Sequence, residues 1–359
     1  MLLRMRRSSV RWTLGIFLLF PGVMAVGAPE DVQRAAYLMG TLCTIQGAAC
    51  GRDHGLAAIE SGFAAIQATE ALLSTWRTDT PLARLGEAPV GQEVVVLPEL
   101  ARLLTEAHEI WVQTGGAFDP AIGALVQAWD LRGPGRVPTA AEMAGALARS
   151  GMDRVVVDTS RASVTLRAAG LTFDAGGFGK GAGLARAGEA LTGAGLQNWL
   201  IDFGGQVLVD PNGPGRDIAI AHPRDRERPV AILHLRGLSA ATSSLSQRPG
   251  HILDPRDGQP AKDFGSVTVV GADPLQVDAL ATGLFVLGPD QGLERAESLT
   301  GVEALFLVDQ GDHLEAFGTT GFRQYLVKMQ VPWADQTRSA PVLERPIPQG
   351  SDHRFQDNK

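Results

Sequence analysis

Three groups of residues have the types and spacing to do chemistry. The first is the run Asp174-Ala-Gly-Gly-Phe-Gly-Lys180-Gly. Glycines at 176, 177 and 179 leave backbone amides bare, so a ligand can approach them closely. A short strand from Leu171 to Asp174 is expected to lead in, and an Ala- and Leu-rich helix to lead out as far as Leu191. Lys180 puts a positive charge at that helix start, which suits a phosphate. The same glycines could instead serve only to pack a strand against a helix. A Walker loop is excluded, because Asp174 stands where its first Gly is required and Gly181 where Ser or Thr is required. A dinucleotide fingerprint fits loosely as Gly177-x-Gly179-x-x-Ala182, with Asp202 ending a later apolar run. Asp174 would repel a bare pyrophosphate unless a metal or a ring donor lies there too.

The second group is Asp278 and Thr282, four residues apart on a helix and therefore one above the other on one face. Their neighbours are Ala, Leu and Phe, so an acid and a hydroxyl enter an apolar face and need partners. Mutual side-chain bonding, with Thr282 also bonding back along its helix, would satisfy them. A hard-cation site would do so equally well, since carboxylate and hydroxyl oxygens suit magnesium. The third group comprises His251-Ile-Leu-Asp254, Gly116-Ala-Phe-Asp119-Pro120, and Trp76 in a polar loop. Locally, Asp119 reads as a cap for the helix that follows. A lone loop Trp reads more readily as a packing plug than as a stacking platform.

The elements that must position these groups follow from periodicity. Tyr37 to Ile45 alternates as a strand, and Asp53 to Ser74 repeats apolar residues as a helix. A helix over Pro98 to Gln113 begins with Pro and ends before Gly115-Gly116. Thr139-x-x-Glu142 is a capping box, and Arg154–Asp158 with Ser163–Arg167 reads as a hairpin. Strands dominate afterwards: Leu200 to Val209 with a glycine bulge at 204–205, Ile218 to Ala221, Val230 to Leu235, and Ser266 to Val270. Helices over Pro274–Leu287 and Asp290–Leu299 precede strands at Val302–Val308 and Leu314–Phe317.

The 359-residue chain is 45% hydrophobic and 20% charged, ordinary globular usage that excludes wholesale disorder. A formal charge of −7 argues against a general nucleic-acid binder. Residues 1–27 read as a secretory signal: Arg4, Arg6 and Arg7, an apolar run from Trp12 to Phe20, then Pro21-Gly22 and small residues. Arg6-Arg7 also fits a loose twin-arginine type. The protein is therefore expected in the periplasm with its signal removed, a folded domain over 28–331, and a loose Pro-rich tail over 332–359. Cys43 and Cys50 could pair in an oxidising compartment, but read better as two small buried side chains.

Taken in order, these pieces resemble the FAD:protein FMN transferase family, the ApbE family. The resemblance is carried by Met39-Gly-Thr, the loop from Ser74 to Leu85, Gly-Gly-Ala-Phe-Asp-Pro at 115–120, Asp-x-Gly-Gly-x-x-Lys-Gly at 174–181, Gly-Gly at 204–205, Thr-Ser at 242–243, His-Ile-x-Asp-Pro-x-x-Gly at 251–258, and Asp-Ala-Leu-Ala-Thr at 278–282. It implies an α+β fold of two sheet-and-helix lobes forming one unit, with FAD in the cleft between them. It implies a Mg²⁺-dependent flavin transferase that moves FMN from FAD onto a Thr or Ser of a partner protein through a phosphoester, releasing AMP. The partner would be a membrane or periplasmic electron-transfer subunit. Met39, Trp76, Ala117, Phe118, Asp119, Asp174, Lys180 and Ile252 take FAD-contacting places. Asp278, Thr282 and the backbone oxygen of Gly177 take metal places, and His251 that of a base near the incoming hydroxyl. Ala185, Gln206, Ser244 and Gly250 depart from the family pattern, and bear on adenine and acceptor recognition. Two rivals remain: an exported protein that binds or hydrolyses FAD without transfer, and a dinucleotide-dependent oxidoreductase.

Overall fold

The computed structural model describes residues 29–246 and 250–334. The expected signal peptide, and the tail beyond Ala334, lie outside the described residues.

The chain opens with β1 (Glu30–Leu38) and β2 (Thr41–Ala49), then α1 (Arg52–Leu73) and the short α2 (Pro81–Leu85). A helical segment follows: β3 (Glu93–Val95), α3 (Pro98–Gln113), α4 (Gly123–Ala128) and α5 (Ala140–Leu147), closed by the hairpin β4 (Val155–Asp158) and β5 (Ser163–Leu166). Next come α6 (Gly179–Gly193), β6 (Gln197–Phe203) and β7 (Gln206–Val209). The second half adds β8 (Arg216–His222), β9 (Asp225–Leu235), β10 (Ser239–Ser244), β11 (Gly265–Gly271) and α7 (Pro274–Glu297). It ends with β12 (Val302–Asp309), β13 (Leu314–Gly318) and β14 (Leu326–Met329).

One eight-stranded sheet, ordered β1-β2-β6-β7-β10-β11-β12-β13, organises the rest. Helices α1, α6 and α7 cover one face, burying Ile59, Phe63, Leu184, Leu280 and Phe285. The small sheet β14-β9-β8 covers the other, where Val230, Leu233 and Leu235 meet Val207, Leu305 and Leu307. With both faces covered, β11 buries all of its residues, which is why it reads as a continuous apolar run. The sheet β3-β5-β4 packs with α3 against α7 and forms the second lobe with α4 and α5. The two-lobed α+β architecture is thus present. Every ladder between these strands is antiparallel, so the parallel βαβ unit of a dinucleotide-binding oxidoreductase is absent from the described residues.

Several local expectations are corrected. The strand expected from Tyr37 to Ile45 is two strands, with Leu38 paired to Thr41 across a two-residue turn. Met39 at φ 45° and Gly40 at φ 77° take the left-handed conformation that such hairpins need. Gly204 and Gly205 (φ 59° and 89°) likewise form a hairpin turn rather than a bulge, with Phe203 paired to Gln206. No strand forms at Leu171 to Asp174, because its backbone bonds go to a loop: Gly123 N–H donates to Thr172 O and Asp174 N–H to Pro120 O. Cys43 is buried, but Cys50 is exposed, and both are free thiols. Burial pushes the Cys43 thiol up to about 12. The chain is also still docked past Pro332, where Ala316 accepts from Ala334 N–H and Arg323 lies over the Trp333 ring.

Other expectations hold. Thr139 and Glu142 form the capping box at α5. α7 is two rods, broken at Gly288 (φ 77°, ψ 177°) where Pro289 follows without an N–H.

The crossing of α6 and α7 depends on a residue with no side chain. A Cβ at Gly181 would run into the carbonyl oxygen of Pro274, a backbone atom that cannot rotate away. Gly181→Ala would gain about 1 kcal/mol of helix propensity and lose about 1–3 kcal/mol to overpacking. Urea unfolding should show net destabilisation. Gly145→Ala, inside α5 where a Cβ meets nothing within 4 Å, should stabilise instead.

Candidate active site

The lobes enclose a cleft of about 870 Å³. Its walls come from the β1–β2 turn, the Asp119 loop, the start of α6, the inner face of α7, strand β8 and the loop at His251. Such a volume falls within the range of small-molecule and cofactor sites. Every residue assigned from sequence lines it: Met39, Trp76, Ala117, Phe118, Asp119, Asp174, Gly177, Lys180, His251, Ile252, Asp278 and Thr282.

Asp278 is 5% exposed and joins two helices. Its Oδ2 accepts from Gly181 N–H at 2.9 Å, one of the first-turn amides of α6 that lack a partner within their own helix. Lys180 Nζ donates to the same carboxylate at 2.9 and 3.3 Å. Thr282 Oγ1 points back to the Asp278 carbonyl at 3.4 Å rather than to its side chain, so mutual side-chain bonding is not how this pair is satisfied. A Cβ at Gly177 would lie 3.2 Å from the Phe118 ring and 3.3 Å from Thr282 Oγ1, which explains the bare residue there. Asp278, Thr282 and Gly177 all line the cleft, with Gly177 packed beside Thr282. An all-oxygen donor set fits a hard divalent cation. No group of three or more His, Cys, Asp or Glu side chains suited to a metal exists among the described residues, so any site here mixes carboxylate, hydroxyl and carbonyl donors.

Asp119 is not a helix cap. Helix α4 begins after Ile122 with no side-chain cap, while Asp119 accepts from Ala121 N–H at 2.7 Å and from Met152 N–H at 2.9 Å. It ties the Ala117–Ala121 loop to the turn before β4, fixing Phe118 against the Phe178 ring 6.4 Å away. Trp76 is not a plug either, since it is 69% exposed at the cleft rim.

The loop after His251 closes on itself. Ala261 N–H donates to Ile252 O, Asp254 N–H to Gln259 O, and Arg256 grips Asp254 at 2.8 and 2.7 Å. Trp129 Nε1 anchors the loop to α4 through Gly258 O at 2.7 Å. His251 therefore sits half-buried on the cleft side of a segment whose shape other bonds maintain.

Sequence reasoning missed two contributors. Arg132, in the turn Asp130-Leu-Arg-Gly-Pro-Gly, reaches Asp174 at 2.8 Å. A guanidinium in a glycine–proline turn is the only local signal it offers. Strand β8 was legible, yet nothing placed Asp217 to His222 on the cleft. Conversely, Gln206 is a brace: its Nε2 donates to Pro274 O at 2.8 Å and to Ser239 Oγ at 3.2 Å.

Residues 39–306 match the ApbE family. The chain belongs to that family. Among curated proteins, the FAD:protein FMN transferase of Treponema pallidum is 29% identical over 84% of this chain and 92% of its own length. That of Haemophilus influenzae is 30% identical over 65% and 73%. Among solved structures, the apo flavinyl transferase ApbE of Pseudomonas stutzeri superposes with a TM-score of 0.74 at 26% identity, covering 84% of this chain and 98% of its own. The flavin transferase ApbE from Vibrio cholerae gives 0.73 at 25% identity, covering 83% of this chain and all of its own. The ApbE fold is therefore the fold of this chain.

Burial pushes the Asp119 carboxyl up to about 6, outweighing the two backbone N–H groups and the Trp111 side chain that favour its charged form. The folded protein then holds this proton more tightly than the unfolded chain does. The resulting stabilisation is complete below about pH 4 and is lost as pH rises through 6. The unfolding free energy of wild type minus that of Asp119→Asn should fall across this interval and level off above it. A pH-independent difference in urea titrations would place the proton elsewhere.

Proposed function

We propose that this protein is an FAD:protein FMN transferase that moves FMN from FAD to a Thr or Ser hydroxyl of a partner protein. The observation that carries this reading is the convergence of the assigned residues, drawn from segments 39 to 282, on one cleft. The names of the relatives support it.

In the proposed reaction the acceptor oxygen bonds to the FMN-side phosphorus, and the phosphoanhydride bond to AMP breaks. The hydroxyl proton passes to His251, and AMP leaves with the electron pair. Asp278, Thr282 and the Gly177 carbonyl would hold Mg²⁺, which supplies positive charge against the pyrophosphate. Lys180 brings a second positive charge to the same side of the cleft. In the 176–179 turn the amides of Gly176, Phe178 and Gly179 already donate to Asp174 and Ala175, so the Gly177 N–H is the one that can approach a phosphate oxygen, and Trp76 offers an open ring face to a flat ring of FAD. The partner is proposed to be a membrane or periplasmic electron-transfer subunit, and the enzyme to be exported, with its signal peptide removed, to the periplasm.

The test incubates protein, FAD, Mg²⁺ and a Thr-bearing electron-transfer subunit, then reads flavin fluorescence on a denaturing gel beside AMP release. Wild type should label the acceptor, and a chelator should stop it. Asp278→Asn, which keeps an oxygen for Gly181 N–H, should fold yet lose turnover by about 100-fold or more, within the range of removing one charge-stabilising group. Thr282→Ala should be milder, because water can replace a neutral ligand. His251→Ala should bind FAD normally and transfer slowly, since its contribution lies in the transition state. AMP released without a labelled acceptor would give the site to FAD hydrolysis.

A further inference from the structure

Arg132 ties together three segments that are far apart in the chain. Its NH2 donates to Thr75 Oγ1 at 2.7 Å and to Asp174 Oδ2 at 2.8 Å, and its NH1 to the Thr75 carbonyl. Its guanidinium carbon lies 5.3 Å from the centre of the Trp76 ring. Arg132, Trp76 and Asp174 all line the cleft.

Each contact answers a physical question about the site. Asp174 stands at the entry of a glycine-rich turn suited to phosphate, where a bare carboxylate would repel the ligand. Its Oδ1 accepts from Gly176 N–H at 2.8 Å and its Oδ2 from Arg132, so both oxygens are engaged and the charge is paired. Trp76 raises the opposite question. A ring this exposed has little packing to hold it, and an unheld platform must be ordered by the ligand at the expense of affinity. A cation within about 6 Å of an indole centre is attracted to it, and the planar fork of arginine can do this while bonding an oxygen pair.

We infer that Arg132 is a positioning residue that sets FAD affinity, by pairing Asp174 and holding Trp76 as a stacking platform before FAD arrives. This rests on the transferase reading for the identity of the ligand, but not for the transfer step. Arg132 acts through its neighbours, so its loss should appear in binding and KM rather than in kcat. Lysine keeps the charge but cannot bond Thr75 and Asp174 while facing the ring, and should recover only part of the affinity.

The experiment measures FAD dissociation constants by calorimetry on the full protein without acceptor, alongside thermal unfolding. Arg132→Ala should weaken FAD about tenfold, with Arg132→Lys in between. The Arg132→Ala/Trp76→Ala double variant should bind little worse than Trp76→Ala alone, because both changes remove the same platform. In the Asp174→Asn background, Arg132→Ala should cost less than in wild type, since no unpaired carboxylate is uncovered. With acceptor present, KM for FAD should rise by the same factor while kcat holds within about threefold. Binding by Arg132→Ala within twofold of wild type would overturn the inference, as would losses at Arg132 and Trp76 that add in full. Should the alanine variant unfold, the lysine variant decides: wild-type affinity there would refute the role of the fork. If wild type binds FAD but labels no acceptor, the transfer step fails and the role of Arg132 stands; if it binds no FAD, both fail.

Discussion

The carboxylate of Asp278 is the interaction on which the cleft depends. It is carried into an apolar interior by α7, and a buried charge is tolerated only when paired and hydrogen-bonded. Both requirements are met by α6, through the Gly181 amide and the Lys180 ammonium. These two residues are adjacent in sequence, so α6 must start at this point and present this end to α7. The contact also needs the backbones close together, and a Cβ at Gly181 would prevent that. One side chain thus sets where α6 begins, how it crosses α7 and where the glycine-rich turn lies.

Much of the fold was legible because it follows from local rules. The capping box at Thr139 and Glu142, the Pro and Gly that bound α3, and the break before Pro289 all appear where the residues place them. The failures share one cause. Alternation runs unbroken across a two-residue turn, so Tyr37 to Ile45 looks like one strand when the reversal is made by Met39, a residue seldom found at positive φ. Leu171 to Asp174 has the composition of a strand, yet its partners are the loop at Pro120 and Gly123, and pairing is not encoded within four residues.

The site shows the same division. Asp278 and Thr282 could be placed on one helix face from spacing alone, and the resemblance ordered the remaining pieces along the chain. Their meeting in one cleft, and the partners that fix their chemistry, are long-range facts. Asp119 reads locally as a cap because Asp before Pro and a helix usually is one; what it holds instead is Met152, 33 residues away. Arg132 is separated from Asp174 by 42 residues and from Thr75 by 57, and no periodicity connects them.

Of the five aspartates that line the cleft, the three assigned to the proposed site, Asp119, Asp174 and Asp278, are each handled by a different physical means. Asp278 is paired with Lys180 and with the positive end of α6. Asp174, less buried, is paired with Arg132 and a turn amide. Asp119 has no cation in hydrogen-bond contact, and burial shifts it towards its neutral form until about pH 6. The differences follow from position. Asp119 bonds two backbone amides and can be set deep; Asp174 lies at a rim where an arginine can reach across from another loop; Asp278 must remain charged if it is to hold a cation. An electrostatic reading that counted these three carboxylates as unpaired charges would make this part of the cleft hostile to phosphate. Pairing and burial remove most of the field of these three, and beside the two ion pairs the site offers a ligand the Gly177 amide and one open aromatic face.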